Sequence, residues 1–160
     1  MVTMASNLKV IIDNQQTKIK IPSGTRMLVR RSCHAVMEHE GYNENAEINV
    51  VFADNELMNS YIDLRVSSIE APELVAIPSD GDGEDLGKII LSVERVYELV
   101  NVYNCPYEMG IVYSAVHGVL NLLGEFYYDK ETREKLRIKE ARIMSELGFA
   151  PLANYGQVDA

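Results

Sequence analysis

The 160-residue chain has two cysteines, Cys33 and Cys105, too few for a disulfide scaffold or a cysteine-rich metal site. It lacks the unbroken run of ~18 apolar residues that a membrane span requires. The longest candidate, Ile111 to Leu123, is interrupted by Ser114, His117 and Asn121. The opening MVTMASNLKV has no apolar core of a secretory signal. A reducing, cytoplasmic setting away from any membrane is therefore the expectation. No glycine-rich phosphate loop follows a strand pattern, and no serine sits in a nucleophile elbow, which removes the commonest nucleotide and acyl-transfer signatures. Without repeats, low-complexity tracts or a linker-like stretch, residues 1–160 read as a single domain.

What is present is globular: 47% apolar and 24% charged residues. The net charge of −9 is unevenly spread. Lys9, Lys18, Lys20, Arg26, Arg30 and Arg31 stand against Asp13 alone in the first 31 residues, whereas 32–128 is strongly acidic. A polyanion would be repelled by the acidic middle and drawn, if anywhere, to the amino-terminal cluster. Charge alone does not argue for nucleic-acid binding.

Strand and helix signals alternate along the chain. Leu8–Asp13 and Lys18–Ile21 read as strands, the second from the alternation KIKI before Pro22. Ser23–Glu40 reads as a helix capped by Ser23 and closed by Gly41. AEINVVFA, 46–53, is a buried strand, and Asp54 caps a helix to about Leu64. Short strands follow at Leu74–Ile77 and Lys88–Leu91. Ser92 then caps a helix to about Val102, Pro106 starts one ending before Gly124, and Asp129 caps the last, to Leu147. The loop from Pro78 to Asp85 faintly resembles a calcium loop through Asp80 and Asp82, yet it lacks a closing glutamate and reads as plain surface.

The helix YEMGIVYSAVHGVLNLL is apolar almost all round and belongs in the core. Ser114, His117 and Asn121 lie three and four apart, on one stripe of it. Buried polar groups must be paired, ligated or facing a cleft, since an unsatisfied one costs ~1–3 kcal/mol. A zinc site on one helix uses His-x-x-x-His with a third ligand from beyond. Here the fourth position after His117 is Asn121, so the residues themselves favour Ser114, His117 and Asn121 satisfying one another and nearby backbone. His34 and His39, five apart, read as exposed or half-buried, and Cys33 as a buried structural thiol.

AEINVVFADNEL at 46–57, LGKIILSVERVYELVNVYN at 86–104, HGVLNLLG at 117–124 and the closing KEARIMSELGF resemble the YbeY family of ribosomal-RNA maturation endoribonucleases, over residues 8–149. The resemblance implies an α+β fold, a small mixed β-sheet covered by helices with a metalloprotease-like core. It also implies zinc as cofactor, single-stranded RNA as substrate, and ribosomal RNA, the small ribosomal subunit and assembly proteins as partners; neither a membrane nor a small-molecule substrate is implied. In the family motif HGxLHLxGYDH three histidines bind the metal. Only His117 matches a ligand position in this chain. Asn121 and Tyr127 stand at the other two, and Phe126 replaces the aspartate. Lys88 falls where the family has an acid, placing a cation near the vacated site, and Val66 falls where it has an arginine, with Arg65 one place earlier.

The scaffold is thus kept while the polar site is replaced. The expectation is a YbeY-like protein of ribosomal-RNA maturation or ribosome assembly, with metal-dependent hydrolysis lost or severely weakened and no confident catalytic residue. The alternatives are an active metal-dependent endoribonuclease that recruits Glu125, Asp129 or Asn121, and a pure protein-interaction module on the same scaffold.

Overall fold

The apolar run AEINVVFA is the strand on which the sheet is built. In the computed structural model, which describes residues 7–62, 72–81 and 83–150, it forms β2 (Ala46–Ala53) between β1 (Leu8–Asn14) and β4 (Asp85–Ser92), parallel to both. β3 (Leu74–Pro78) pairs antiparallel with β4 and closes the order β1-β2-β4-β3. The helices are α1 (Thr25–His39), α2 (Asn55–Tyr61), α3 (Val93–Tyr103), α4 (Tyr107–Leu122) and α5 (Lys130–Glu146). A small mixed sheet with helices interspersed is the α+β architecture expected.

The period-two alternation of β2 sends Ile48, Val50 and Phe52 into the main core, which they share with Val29, Val36, Val96, Val116 and Leu120 from α1, α3 and α4. Val51 points the other way and joins Ile90 and Met58 under α2. α4 is buried around most of its circumference, as its composition demands, and touches α1, α3, α5, β3 and β4. α5 reaches this core through Leu136, Ile143 and Met144, packing on α4 and α1.

One glycine sets the approach of α4 to the sheet and another the pairing of β3 with β4. At Gly118 an added Cβ would meet Ile89 side-chain atoms at 3.0 Å, so the missing side chain lets α4 sit close on β4. Gly87 in β4 has φ +129°, and a Cβ there would lie 2.3 Å from the Ile77 carbonyl oxygen.

Most helix caps follow the sequence: Asp54 accepts from Leu57 N, Ser92 from Arg95 N and Asp129 from Thr132 N. Two local expectations fail. Lys18–Ile21 is not a strand. The buried Gln16 side chain binds both the N–H and the carbonyl of Ile19, each at 2.8 Å, which satisfies locally the groups a ladder would have used. Ile19 and Ile21 then pack on the core from a loop. Likewise Ser23 does not cap α1; Gly24 occupies the N-cap at φ 89° with no side-chain cap. Arg65, Val66 and Asp82 lie outside the described residues.

Gly87→Ala is expected to cost about 3 kcal/mol, because the strained φ and the clash with the Ile77 carbonyl act together on the β3–β4 pairing. Urea unfolding followed by far-ultraviolet circular dichroism measures it; an unchanged midpoint would contradict this account.

Candidate functional site

α4 carries His117 on the side turned toward α5 and the connecting loop, while its neighbour Gly118 faces β4. The imidazole Nδ1 lies 2.6 Å from Oε1 of Glu140, a buried carboxylate on α5. Tyr127, from the loop between α4 and α5, directs its hydroxyl at the same carboxylate, 3.2 Å from Oε1 and 3.4 Å from Oε2. The Tyr127 ring meets the imidazole edge-on at 5.1 Å, and Tyr113, one turn earlier on α4, stacks against it at 5.6 Å. Arg133 places its guanidinium 5.8 Å from the Tyr127 ring centre. Glu140 therefore gathers three elements around one acceptor group, and His117 is held in a single orientation.

The stripe Ser114, His117, Asn121 does not satisfy itself. The Ser114 hydroxyl lies 2.8 Å from the Gly110 carbonyl and 3.2 Å from Glu73 Oε2. His117 goes to Glu140, and Asn121 Oδ1 is buried with no hydrogen-bond partner. The side-chain partners come from the residue before β3 and from α5, and the remaining one is the Gly110 carbonyl within α4.

Burial, and then the charge of Glu140, push the Tyr127 phenol up to about 12, so near neutrality it is a neutral hydrogen-bond donor. Tyr113 is pushed far higher, first by burial and then by Glu140 and Tyr127. The donor set at the three family positions is thus one imidazole, one neutral amide and one neutral phenol. That set does not fit zinc, which takes imidazole, thiolate or carboxylate. Glu140 stands toward His117 as an outer carboxylate stands toward a metal-binding histidine, orienting the ring, but the other ligand types are missing.

Of the oxygen donors that could stand in, Asp129 is committed and Glu125 is engaged through Oε1 alone, its Oε2 being buried without a hydrogen-bond partner among the described residues. Asp129 is locked in the capping box of α5, accepting from Thr132 N at 2.8 Å. Glu125 is hydrogen-bonded to Lys139, whose ammonium also lies 3.0 Å from Glu40 at the end of α1. Burial raises the Glu125 pKa and the facing Glu40 carboxyl adds to it. Burial also acts on Glu40, but Glu125 and Lys139 outweigh it and leave its pKa below the usual range. The two carboxyls thus face one ammonium with their pKa values pushed in opposite directions. Among the described residues no group of three His, Cys, Asp or Glu side chains is placed to hold a metal ion.

Lys88 does not lie at the site. It pairs with Asn49 and Ile77 on the sheet face opposite the one where its neighbour Ile89 meets Gly118. His34 is buried rather than surface-exposed, with its pKa lowered by burial, because the second half of α1 is enclosed by its neighbours. His39 is half-buried, 3.5 Å from Glu146. Burial pushes the Cys33 thiol up to about 12, as suits an inert core residue. In the amino-terminal cluster Lys18 pairs with Glu94 at 3.1 Å and Arg26 lies over Phe52. Sequence reading missed Glu140. Its signal is a carboxylate on the buried stripe Leu136, Glu140, Ile143, Leu147, where only a paired acid is tolerated.

The family profile described as Endoribonuclease YbeY matches residues 11–148. The Endoribonuclease YbeY of Caldanaerobacter subterraneus subsp. tengcongensis is 32% identical over 157 residues, covering 89% of this chain and 99% of the relative. That of Pelotomaculum thermopropionicum is 28% identical over 151 residues, with the same coverages of 89% and 99%. The solution structure of TM1509 from Thermotoga maritima superposes with a TM-score of 0.55 at 16% identity, covering 93% of this chain and 99% of that one.

Glu140→Ala is expected to destabilise the fold by about 3 kcal/mol, since the imidazole N–H and the Tyr127 hydroxyl both lose their acceptor. Tyr127→Phe should cost about 1 kcal/mol. Lys139→Ala should cost about 1 kcal/mol at pH 7, a value moderated by the partial exposure of the cluster. Its sign with pH follows from the shifts. The raised Lys139 contributes fully below its ordinary 10.5 and is lost only above it, while the lowered Glu40 contributes above 4.5 and is lost as pH falls through its folded value. The Lys139→Ala penalty should accordingly shrink below about pH 4. A penalty that grows on acidification would exclude this cluster as its source.

Proposed function

The chain belongs to the YbeY endoribonuclease family, and from that premise we propose that it serves ribosomal-RNA maturation or ribosome assembly by binding RNA, with metal-dependent cleavage lost or severely weakened. The observation that carries this reading is the donor set around His117. An oriented imidazole remains, but Tyr127 turns its hydroxyl to Glu140, Asn121 offers a neutral oxygen, Asp129 caps α5, and Glu125 gives Oε1 to Lys139. Among the described residues no three His, Cys, Asp or Glu side chains converge to hold a metal, so no step of hydrolysis is routed through one.

Retention of the framework supports a binding role. α4 keeps the glycine that seats it on β4, and the loop and α5 keep their positions through the Glu140 network. A surface shaped for RNA can survive the loss of chemistry, because binding draws on charge and stacking spread over many residues whereas hydrolysis needs one complete site.

Metal content of protein purified without chelator or affinity tag should be well below one zinc equivalent per chain by mass spectrometry. The double variant Asn121→His/Tyr127→His should recover close to one equivalent, since it restores three imidazoles. The wild-type protein should co-sediment with small ribosomal subunits and leave single-stranded RNA intact. One zinc per wild-type chain, with cleavage abolished by His117→Ala, would establish the active-enzyme reading instead.

A further inference from the structure

A pocket of about 330 Å³ opens beside the Glu140 network, between the α4–α5 loop and the first turns of α5, and the network does not use it. Phe126, Tyr128, Lys135, Lys139, Thr132 and Glu125 are among the residues that line it. The volume lies at the low end of the ~300–1,000 Å³ typical of small-ligand sites. We propose that this pocket binds a nucleobase together with its phosphate, the chemistry that single-stranded RNA and free nucleotides share. It deepens the RNA-binding reading given above and rests on it for the choice of RNA as the source.

Three observations carry the proposal. Tyr128 is 74% exposed, an unusual placement for a large aromatic side chain, and its hydroxyl makes no hydrogen bond among the described residues. Its ring stands 5.8 Å from that of Phe126 at an interplanar angle of 59°, so the two faces are not spent on each other and a base can stack on either. Second, the cation nearest to solvent is available. Lys135 pairs only with Glu131, at 3.1 Å, and both are about three-quarters exposed, a pair weak enough for a phosphate to displace. Lys139 adds positive potential from the inner wall while anchored to Glu125 and Glu40.

Third, the aromatic wall is held before any ligand arrives. Thr132 Oγ1 accepts from both Tyr128 N and Asp129 N at 2.9 Å, as part of the capping box that starts α5. The loop that presents the rings is thereby tied to the helix that presents the lysines. A preorganised stacking surface beside cations is the recognition mode of single-stranded nucleic acid, and it is sequence-tolerant because every base has a π face.

The test uses the full chain and two probes, a fluorescein-labelled hexauridylate followed by anisotropy and uridine 5′-monophosphate followed by ring-proton shifts of Phe126 and Tyr128. Tyr128→Ala should weaken hexauridylate about ten-fold, Tyr128→Phe should leave it near wild type, and Lys135→Glu should weaken it and flatten its salt dependence. Both positions are exposed, and unchanged thermal melts confirm that the variants fold. Hexauridylate binding indifferent to Tyr128→Ala and Lys135→Glu overturns the pocket while the RNA reading stands. Mononucleotide shifts without hexauridylate binding support the pocket with a free nucleotide as ligand and count against the RNA reading. No shift and no anisotropy change with either probe overturns the pocket.

Discussion

A buried carboxylate is the constraint around which this molecule is arranged. Removing Glu140 from water carries a penalty of several kcal/mol, which only well-aimed donors can offset. The donors are His117 from α4 and Tyr127 from the following loop. Each comes from a different element, so the register of α5 on α4 and the path of the intervening loop are fixed together. Apolar packing of Leu136, Ile143 and Met144 would hold α5 in the core, but packing is tolerant of small sliding. The carboxylate is not.

A metal bound by two residues of a helix and one of the next loop would join the same elements. In this chain the third family position delivers a phenol into the core, and its hydroxyl completes the link to α5 that a metal-bound imidazole would have made differently. The neighbourhood nevertheless stays electronegative, with Glu73 beside Ser114 and the Glu40–Glu125 pair around a single ammonium. Such surroundings attract cations and repel phosphate. Lys135, about three-quarters exposed at the pocket rim, is a cation that offsets this potential locally.

Much of the scaffold was legible because its signals are local. Asp54, Ser92 and Asp129 cap the helices expected of them, Gly41 and Gly124 close two others in the left-handed region, and the AEINVVFA strand has the predicted limits. Where the reading failed, a non-local or side-chain-specific interaction won. Two isoleucines in KIKI alternate as a strand would, but Gln16 supplies the hydrogen bonds of a loop before any neighbouring strand can. His34 looked like a surface residue because the helix carrying it has charged neighbours, whereas α4 and α5 close over its second half. The site was half legible. Spacing found His117 and showed what its companions were not, but could not show that a carboxylate 23 residues onward would take the imidazole. Lys88 illustrates the reverse error: a residue aligned with a site in sequence lies on the far face of the sheet, because strand alternation decides its direction.

The loop between α4 and α5 has to cover an apolar helix. Tyr127 and Phe126 meet that demand as aromatic residues, one turned inward to Glu140 and the other outward beside Tyr128. A hydrophilic YDH segment has in effect been exchanged for EFY, which covers core on one side and exposes π surface on the other. The inward half sets a phenol beside His117 and Glu140. The outward half has no structural task among the described residues that accounts for a fully displayed tyrosine, and exposed aromatic area beside lysines is retained most economically where it contacts a ligand. The loop that turns a phenol to Glu140 thus also presents aromatic surface to solvent beside Lys135.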